Sequence, residues 1–174
     1  IKTMSYKPNY VYAHHYFEEE EMCPVGSPHM RKLSQTFLSN NKKQKIVLIT
    51  GSLWHVKNQL SFFEQASPDL LADYDIVVVG PEKDPSYVSR IENVCAQRGF
   101  QPYIIGGISE EFLVNLYSLS RLNVVSMDMR VFGQPKGYPR VLGEGIACRC
   151  LPLCNDPVTV PDFWNDTCLR FDHE

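Results

Sequence analysis

From Lys45 onward the chain alternates between two hydrophobic periods, and this constrains its fold more than any other feature. Lys-Ile-Val-Leu-Ile-Thr (45–50) is a nearly continuous apolar run, rich in β-branched residues, that stops at Gly51. So short and apolar a run suits a strand covered on both faces, as in a parallel sheet. Residues 57–66 then carry apolar side chains at helical spacing, and Asp75-Ile-Val-Val-Val-Gly80 repeats the buried-strand pattern. Val88, Ile91, Val94 and Cys95 fall on one face of a helix over 86–98. The pattern continues with a strand at 102–105, a helix at 109–119, a strand at 122–126, a helix at 139–148 and a strand at 150–154. A last short strand is expected near Cys168-Leu-Arg-Phe. Ser109 suits the N-cap of its helix, and Glu110 and Glu111 suit the positive end of the helix dipole. Strand and helix in strict turn predict an α/β chain with a Rossmann-like, doubly wound parallel sheet.

Right-handed crossovers bring the loops after the strands to one edge of such a sheet, where ligands bind. Those loops are Gly51–Lys57, Gly80–Asp84, Gly106–Ser109, Ser126–Tyr138 and Asn155–Pro157. Glycine at three strand ends either terminates the strands or admits a ligand close to the backbone. Three at one edge favour a site.

Residues 1–44 differ in texture. Aromatics follow no period, four glutamates run from Glu18 to Glu21, and Ser39-Asn-Asn-Lys-Lys-Gln-Lys45 reads as a solvated linker. The acidic run suits a solvated face better than a metal site. A net charge of −3, with no basic stripe interleaved with aromatics, argues against nucleic acid as a partner. No apolar stretch approaches the ~20 residues of a transmembrane helix. Of six cysteines none forms a C-x-x-C pair, and Cys148, Cys150 and Cys154 crowd into an apolar run. Buried free thiols are the expectation, which suits a cytoplasmic or membrane-peripheral protein. Asp73-Tyr74-Asp75 has the letters of a metal-binding D-x-D, but it precedes a strand, so turn chemistry explains it better.

Three segments, in order, resemble the C-terminal domain of the retaining glycosyltransferases of the two-domain GT-B fold (glycosyl transferases group 1). Gly51-Ser-Leu-Trp-His-Val-Lys-Asn-Gln59 is similar to that family's Gly-Arg-Leu…Lys-Asn loop. Gly106-Gly-Ile-Ser109 with Leu116-Tyr-Ser118 resembles its Gly-x-Val/Ile-Ser/Pro and downstream Leu-Tyr-x-x-Ala. Gly137-Tyr-Pro-Arg-Val-Leu-Gly-Glu-Gly-Ile-Ala-Cys148, the most specific, resembles Gly-Phe-Pro-Arg-Val-Leu-Leu-Glu-Ala-Met-Ala-Cys-Gly. The resemblance covers roughly residues 45–172. It implies a nucleotide-sugar-binding domain over 45–174, truncated at its C-terminus. Residues 1–44 would then be a linker or remnant of an N-terminal domain that holds a glycan, lipid or protein acceptor.

By the same resemblance the donor is a UDP-, GDP- or ADP-sugar, transferred with retention and without a metal or other cofactor. Lys57 and Lys136 are the candidate catalytic cations. Gly51, Ser52, Gly106, Ser126, Gly137, Tyr138, Pro139, Arg140, Val141 and Glu144 are the candidate donor contacts. Glu144 would accept hydrogen bonds from the ribose hydroxyls. Lys57 would offset charge on the departing diphosphate. The chemistry of the third segment fits independently, since a helix opening at Pro139 offers unpaired amides and the positive end of its dipole to an anion. His55 reads as a loop or packing residue near the sugar.

Three departures from the family pattern stand out. Ser52 replaces an arginine, Lys136 a glutamate and Arg149 a glycine. The first two change the diphosphate and sugar contacts and leave a second reading open, a non-catalytic nucleotide-binding or assembly module. A sugar-nucleotide epimerase half fits the third segment less well. A dinucleotide dehydrogenase lacks support, because no G-x-G-x-x-G follows the first strand.

Overall fold

A computed structural model of the protein describes residues 44–128, 139–155, 158 and 168–171. Six strands form one sheet: β1 (Ile46–Thr50), β2 (Asp75–Val79), β3 (Tyr103–Ile105), β4 (Leu122–Val125), β5 (Leu151–Asn155) and β6 (Leu169–Phe171). Every pairing is parallel and the order is β3-β2-β1-β4-β5-β6. This is the strand order of the Rossmann sheet, with the direction of winding reversing between β1 and β4.

Among the described residues four α-helices cover the two faces: α1 (Gln59–Gln65), α2 (Pro85–Arg98), α3 (Glu110–Leu119) and α4 (Arg140–Ala147). The period of two in β1 assigns its residues to opposite cores. Val47 and Ile49 pack with Phe62 and Phe63 of α1 and Ile91 and Cys95 of α2. Leu48 packs on the other side with Val114 and Tyr117 of α3 and Ala147 of α4. The near-continuous apolar strands are thus explained by burial on both faces.

The helix ends follow from local chemistry. Asp84 caps α2 by accepting from the amides of Ser86 and Tyr87, and Pro85 occupies a first-turn position where no amide partner is needed. Ser109 accepts from the Phe112 amide, as its place in the sequence predicts. α1 begins later than the apolar spacing suggests. A 3₁₀ turn over His55–Lys57 comes first, and Asn58 at φ 49° and ψ 34° separates it from the helix. Pro139 precedes the first helical residue of α4 rather than being it, with φ −62° and ψ 131°.

The C-terminus of α4 carries both bonds of a Schellman motif, Arg149 N–H to Ile146 O at 2.8 Å and Cys150 N–H to Gly145 O at 2.8 Å. That motif turns the chain through a left-handed residue, and Arg149 fills it at φ 61°. The glycine expected here from the family pattern is the residue this backbone favours.

Asp73 belongs to the turn before β2 and pairs with Lys45 at 2.7 Å, away from the edge where the strands end. Among the described residues no group of three or more His, Cys, Asp or Glu could hold a metal, and no helix is long and apolar enough to cross a membrane. Cys95, Cys148, Cys150 and Cys154 are buried free thiols, and Cys168 is a half-buried one. Cys23 and the Glu18–Glu21 run lie outside the described residues.

Candidate functional site

The loops after β1 and β2 are stitched together into one wall of the edge. Gly51 N–H bonds to Val79 O, Leu53 N–H to Pro81 O, and Lys83 N–H to Leu53 O. The contact is close enough that a Cβ on Gly80 would collide with the Gly51 carbonyl oxygen. Gln59 reaches back from α1 to the carbonyls of Gly51 (3.3 Å) and Ser52 (3.0 Å), fixing the turn that carries Lys57.

Lys57 ends that turn half-buried, with its stem against Gly51. No carboxylate pairs with it among the described residues, and burial lowers its ammonium from the usual lysine range. Ser126, at the end of β4, gives its hydroxyl to the Lys57 carbonyl at 2.8 Å. The serine therefore ties the two loops at the switch point together.

The other wall is formed by α3 and α4. A cleft of about 170 Å³ opens between them, lined by Ile108, Glu110, Leu113, Tyr117, Arg140 and Glu144 among others. Glu144 is only 2% exposed, far from the solvent-facing position that a helix glutamate usually occupies. Its Oε1 pairs with Arg140 Nε at 2.7 Å, one turn earlier. Its Oε2 accepts from the Tyr117 hydroxyl at 3.2 Å, and that hydroxyl lies 3.0 Å from Thr50 Oγ1 at the end of β1. Since the tyrosine proton goes to the carboxylate, Thr50 donates to the tyrosine oxygen. Burial raises the Glu144 carboxyl above the ordinary range, against the opposing pull of Arg140 and Tyr117.

α4 is seated by Asn123 of β4, whose Nδ2 donates to Val141 O at 2.8 Å. Gly145 faces that side chain so closely that a Cβ there would collide with Nδ2. Gly106 is different: it is exposed at the end of β3, and a Cβ would meet nothing within 4 Å. Among the described residues no contact demands its small size.

Of the residues singled out in the sequence, Arg140 and Glu144 meet in the cleft, with Pro139 at the head of their helix. Gly51, Ser52, Lys57 and Ser126 gather at the β1–β4 switch point. Gly106 sits at the end of β3. Lys136, Gly137 and Tyr138 lie outside the described residues. The lining residues Ile108, Glu110, Leu113 and Tyr117 were not foreseen as site residues. Their signal was the 110, 113, 114, 117 spacing, which places one stripe of α3 toward the cleft.

No family model and no curated protein matches the chain. Solved structures do. The C-terminal domain of a glycosyl transferase group 1 family protein (LpcC) from Francisella tularensis is similar with a TM-score of 0.68 at 17% identity, over 91% of this chain and 81% of that one. A glycosyltransferase from Rickettsia africae gives 0.67 at 19% identity, over 89% of this chain and 41% of its own. Alr3699/HepE from Anabaena, in complex with UDP, gives 0.61 at 17% identity, over 90% and 42%. This chain thus spans about two fifths of the length of the latter two. Strand order, helix placement and these similarities agree: the chain has the Rossmann-like fold of the C-terminal domain of GT-B glycosyltransferases.

Proposed function

We propose that residues 45–174 are the donor-binding domain of a glycosyltransferase that takes its sugar from a nucleoside diphosphate. Residues 1–44 lead to a separate domain that presents the acceptor. The observation that carries this reading is the Glu144 carboxylate, buried yet lining a cleft beside the first turn of α4. Such a carboxylate, held at both oxygens, suits recognition of a pair of adjacent ribose hydroxyls. Ile108 and Leu113 offer an apolar wall to a nucleobase. The amides at the start of α4 attract the diphosphate, and Lys57 opposes the charge left on it as the sugar departs. Gly51, Ser52, Gly106, Ser126, Gly137, Tyr138 and Lys136 complete the donor edge in this reading. Transfer proceeds with retention and without a metal, the donor phosphate taking the acceptor proton.

Calorimetric titration with UDP, GDP and ADP tests this. Micromolar to low-millimolar binding of one nucleotide, lost in Glu144→Ala, supports the donor domain and identifies the base. A second reading rests on Ser52 and Lys136, which stand where the resembling enzymes carry an arginine and a glutamate. Absence of binding to all three nucleotides favours that reading, a non-catalytic module.

A further inference from the structure

Cys154 and Cys168 bring their sulfurs to 3.2 Å of each other, and neither lines the cleft. Their pairing follows from the sheet. β5 and β6 are parallel, with Leu153 opposite Leu169 and Cys154 opposite Arg170. Cys168, two positions before Arg170, therefore points to the same face as Cys154. Cys154 is fully buried, packed in a small cluster with Val125, Met127, Leu142 and Val158, while Cys168 closes that cluster and remains partly open to solvent.

The two thiols have unequal chemistry. The pairing with Cys154 lowers the Cys168 thiol and burial opposes it, with the nearby Arg170 guanidinium acting in the lowering direction. The same pairing and burial push Cys154 upward. Arg170 is held in place by donating Nη1 to the carbonyls of Asn155 (3.1 Å) and Val158 (2.8 Å). By contrast Cys95 is raised to about 12, principally by burial, and Cys148 and Cys150 are buried. Thiolate character and access together decide which cysteine reacts.

We propose that Cys154 and Cys168 are a redox-active dithiol that exchanges with low-molecular-weight disulfides and closes a reversible bridge between β5 and the start of β6. The Cys168 thiolate attacks one sulfur of the small disulfide, forming a mixed disulfide and expelling the first thiolate. Cys154 then loses its proton and attacks the Cys168 sulfur, expelling the second. Two protein thiols are oxidised, the reagent is reduced to two thiols, and the two protons released pass to those leaving groups. Closing from 3.2 Å to the S–S bond of about 2.05 Å brings the sulfurs about 1.1 Å nearer and keeps the pairing of β5 with β6.

The test is to incubate the purified chain with oxidised glutathione under native conditions, then measure intact mass and map peptides without reduction. The expected product has lost two hydrogens, carries no glutathione, and yields one linked pair of peptides containing Cys154 and Cys168. Cys154→Ser, or Cys154→Ala if the serine variant does not fold, should stop at a single glutathione on Cys168. Cys168→Ser, at the more exposed position, should show neither product. A wild-type chain that stays fully reduced, one that retains glutathione on Cys168, or a bridge joining any other pair would overturn the proposal.

Discussion

The phenolic oxygen of Tyr117 lies 3.2 Å from Oε2 of Glu144, joining α3 to α4 beneath the cleft. Tyr117 is fully buried, and its oxygen also meets Thr50 Oγ1, so one hydroxyl connects the end of β1 with both helices. Tyr117→Phe keeps the ring volume and deletes only that junction. It leaves a buried carboxylate short of one donor and the Thr50 hydroxyl short of its partner. The expected loss is about 2 kcal/mol of folding stability, the scale of a buried hydrogen bond to a charged group. Urea denaturation measures it, and an unchanged midpoint and slope would count against the junction. If Glu144 holds the ribose as proposed, nucleotide affinity should fall as well, because the carboxylate then keeps Arg140 as its partner but loses Tyr117.

Replacing Glu144 by glutamine separates folding from binding. Burial raises the carboxyl in the folded protein, so the fold favours the protonated form. Between the ordinary carboxyl value and the raised one, the folded chain binds more protons than the unfolded chain. Stability from this group is therefore present at low pH and lost as pH rises through the raised value. Glu144→Gln should gain on the wild type as pH goes from about 4 to 7, while binding the proposed donor nucleotide more weakly. Denaturation midpoints for both proteins across that range decide the sign. A glutamine variant that loses ground with rising pH would show instead that the Arg140 pair outweighs burial.

Much of the scaffold is legible because the inner strands β1, β2 and β4 are buried apolar runs that end at a small or polar residue, while the edge strands β3 and β6, largely exposed, keep only their place in the alternation. The alternation from β1 to β6 needed nothing beyond that. α1 starts later than the sequence indicates, since the apolar spacing through 57–66 does not register that Asn58 adopts a left-handed backbone. Asparagine tolerates that conformation better than most residues, and this was the available signal. In the cleft, Glu144 and Arg140 could be named from one segment because they stand four residues apart on one helix. In the sequence Tyr117 stands out only as part of the Leu116-Tyr-Ser118 motif. Its reach to Thr50 and Glu144 spans three elements distant in sequence, and no local pattern encodes it.

Arg149 offers a stabilising change. It holds φ 61° at the end of α4, where its Cβ crowds the backbone, and it is exposed. Arg149→Gly removes that strain, although glycine also gives the unfolded chain more freedom. The net gain expected is about 0.5–1 kcal/mol. A rise in melting temperature with unchanged nucleotide affinity is the predicted result. A fall would mean that the arginine side chain contributes more than its backbone costs.

Lys57→Met tests the proposed diphosphate contact without the ambiguity of a misfolded variant. The lysine is half-buried and its ammonium is lowered by desolvation, so the folded state disfavours its charged form. That penalty is present at neutral pH and is relieved as pH rises through the lowered value, where the unfolded chain still binds the proton. Methionine has a similar stem without the charge, so the variant should be at least as stable as the wild type near pH 7. Its binding should change selectively. If Lys57 faces the phosphates, affinity for the cognate nucleoside diphosphate should drop by about tenfold, worth about 1.4 kcal/mol. Affinity for the bare nucleoside, which carries no phosphate, should stay within about twofold. Parallel calorimetric titrations of both ligands against both proteins give the comparison directly. Equal losses for nucleoside and diphosphate would place Lys57 in the architecture of the loop rather than on the donor.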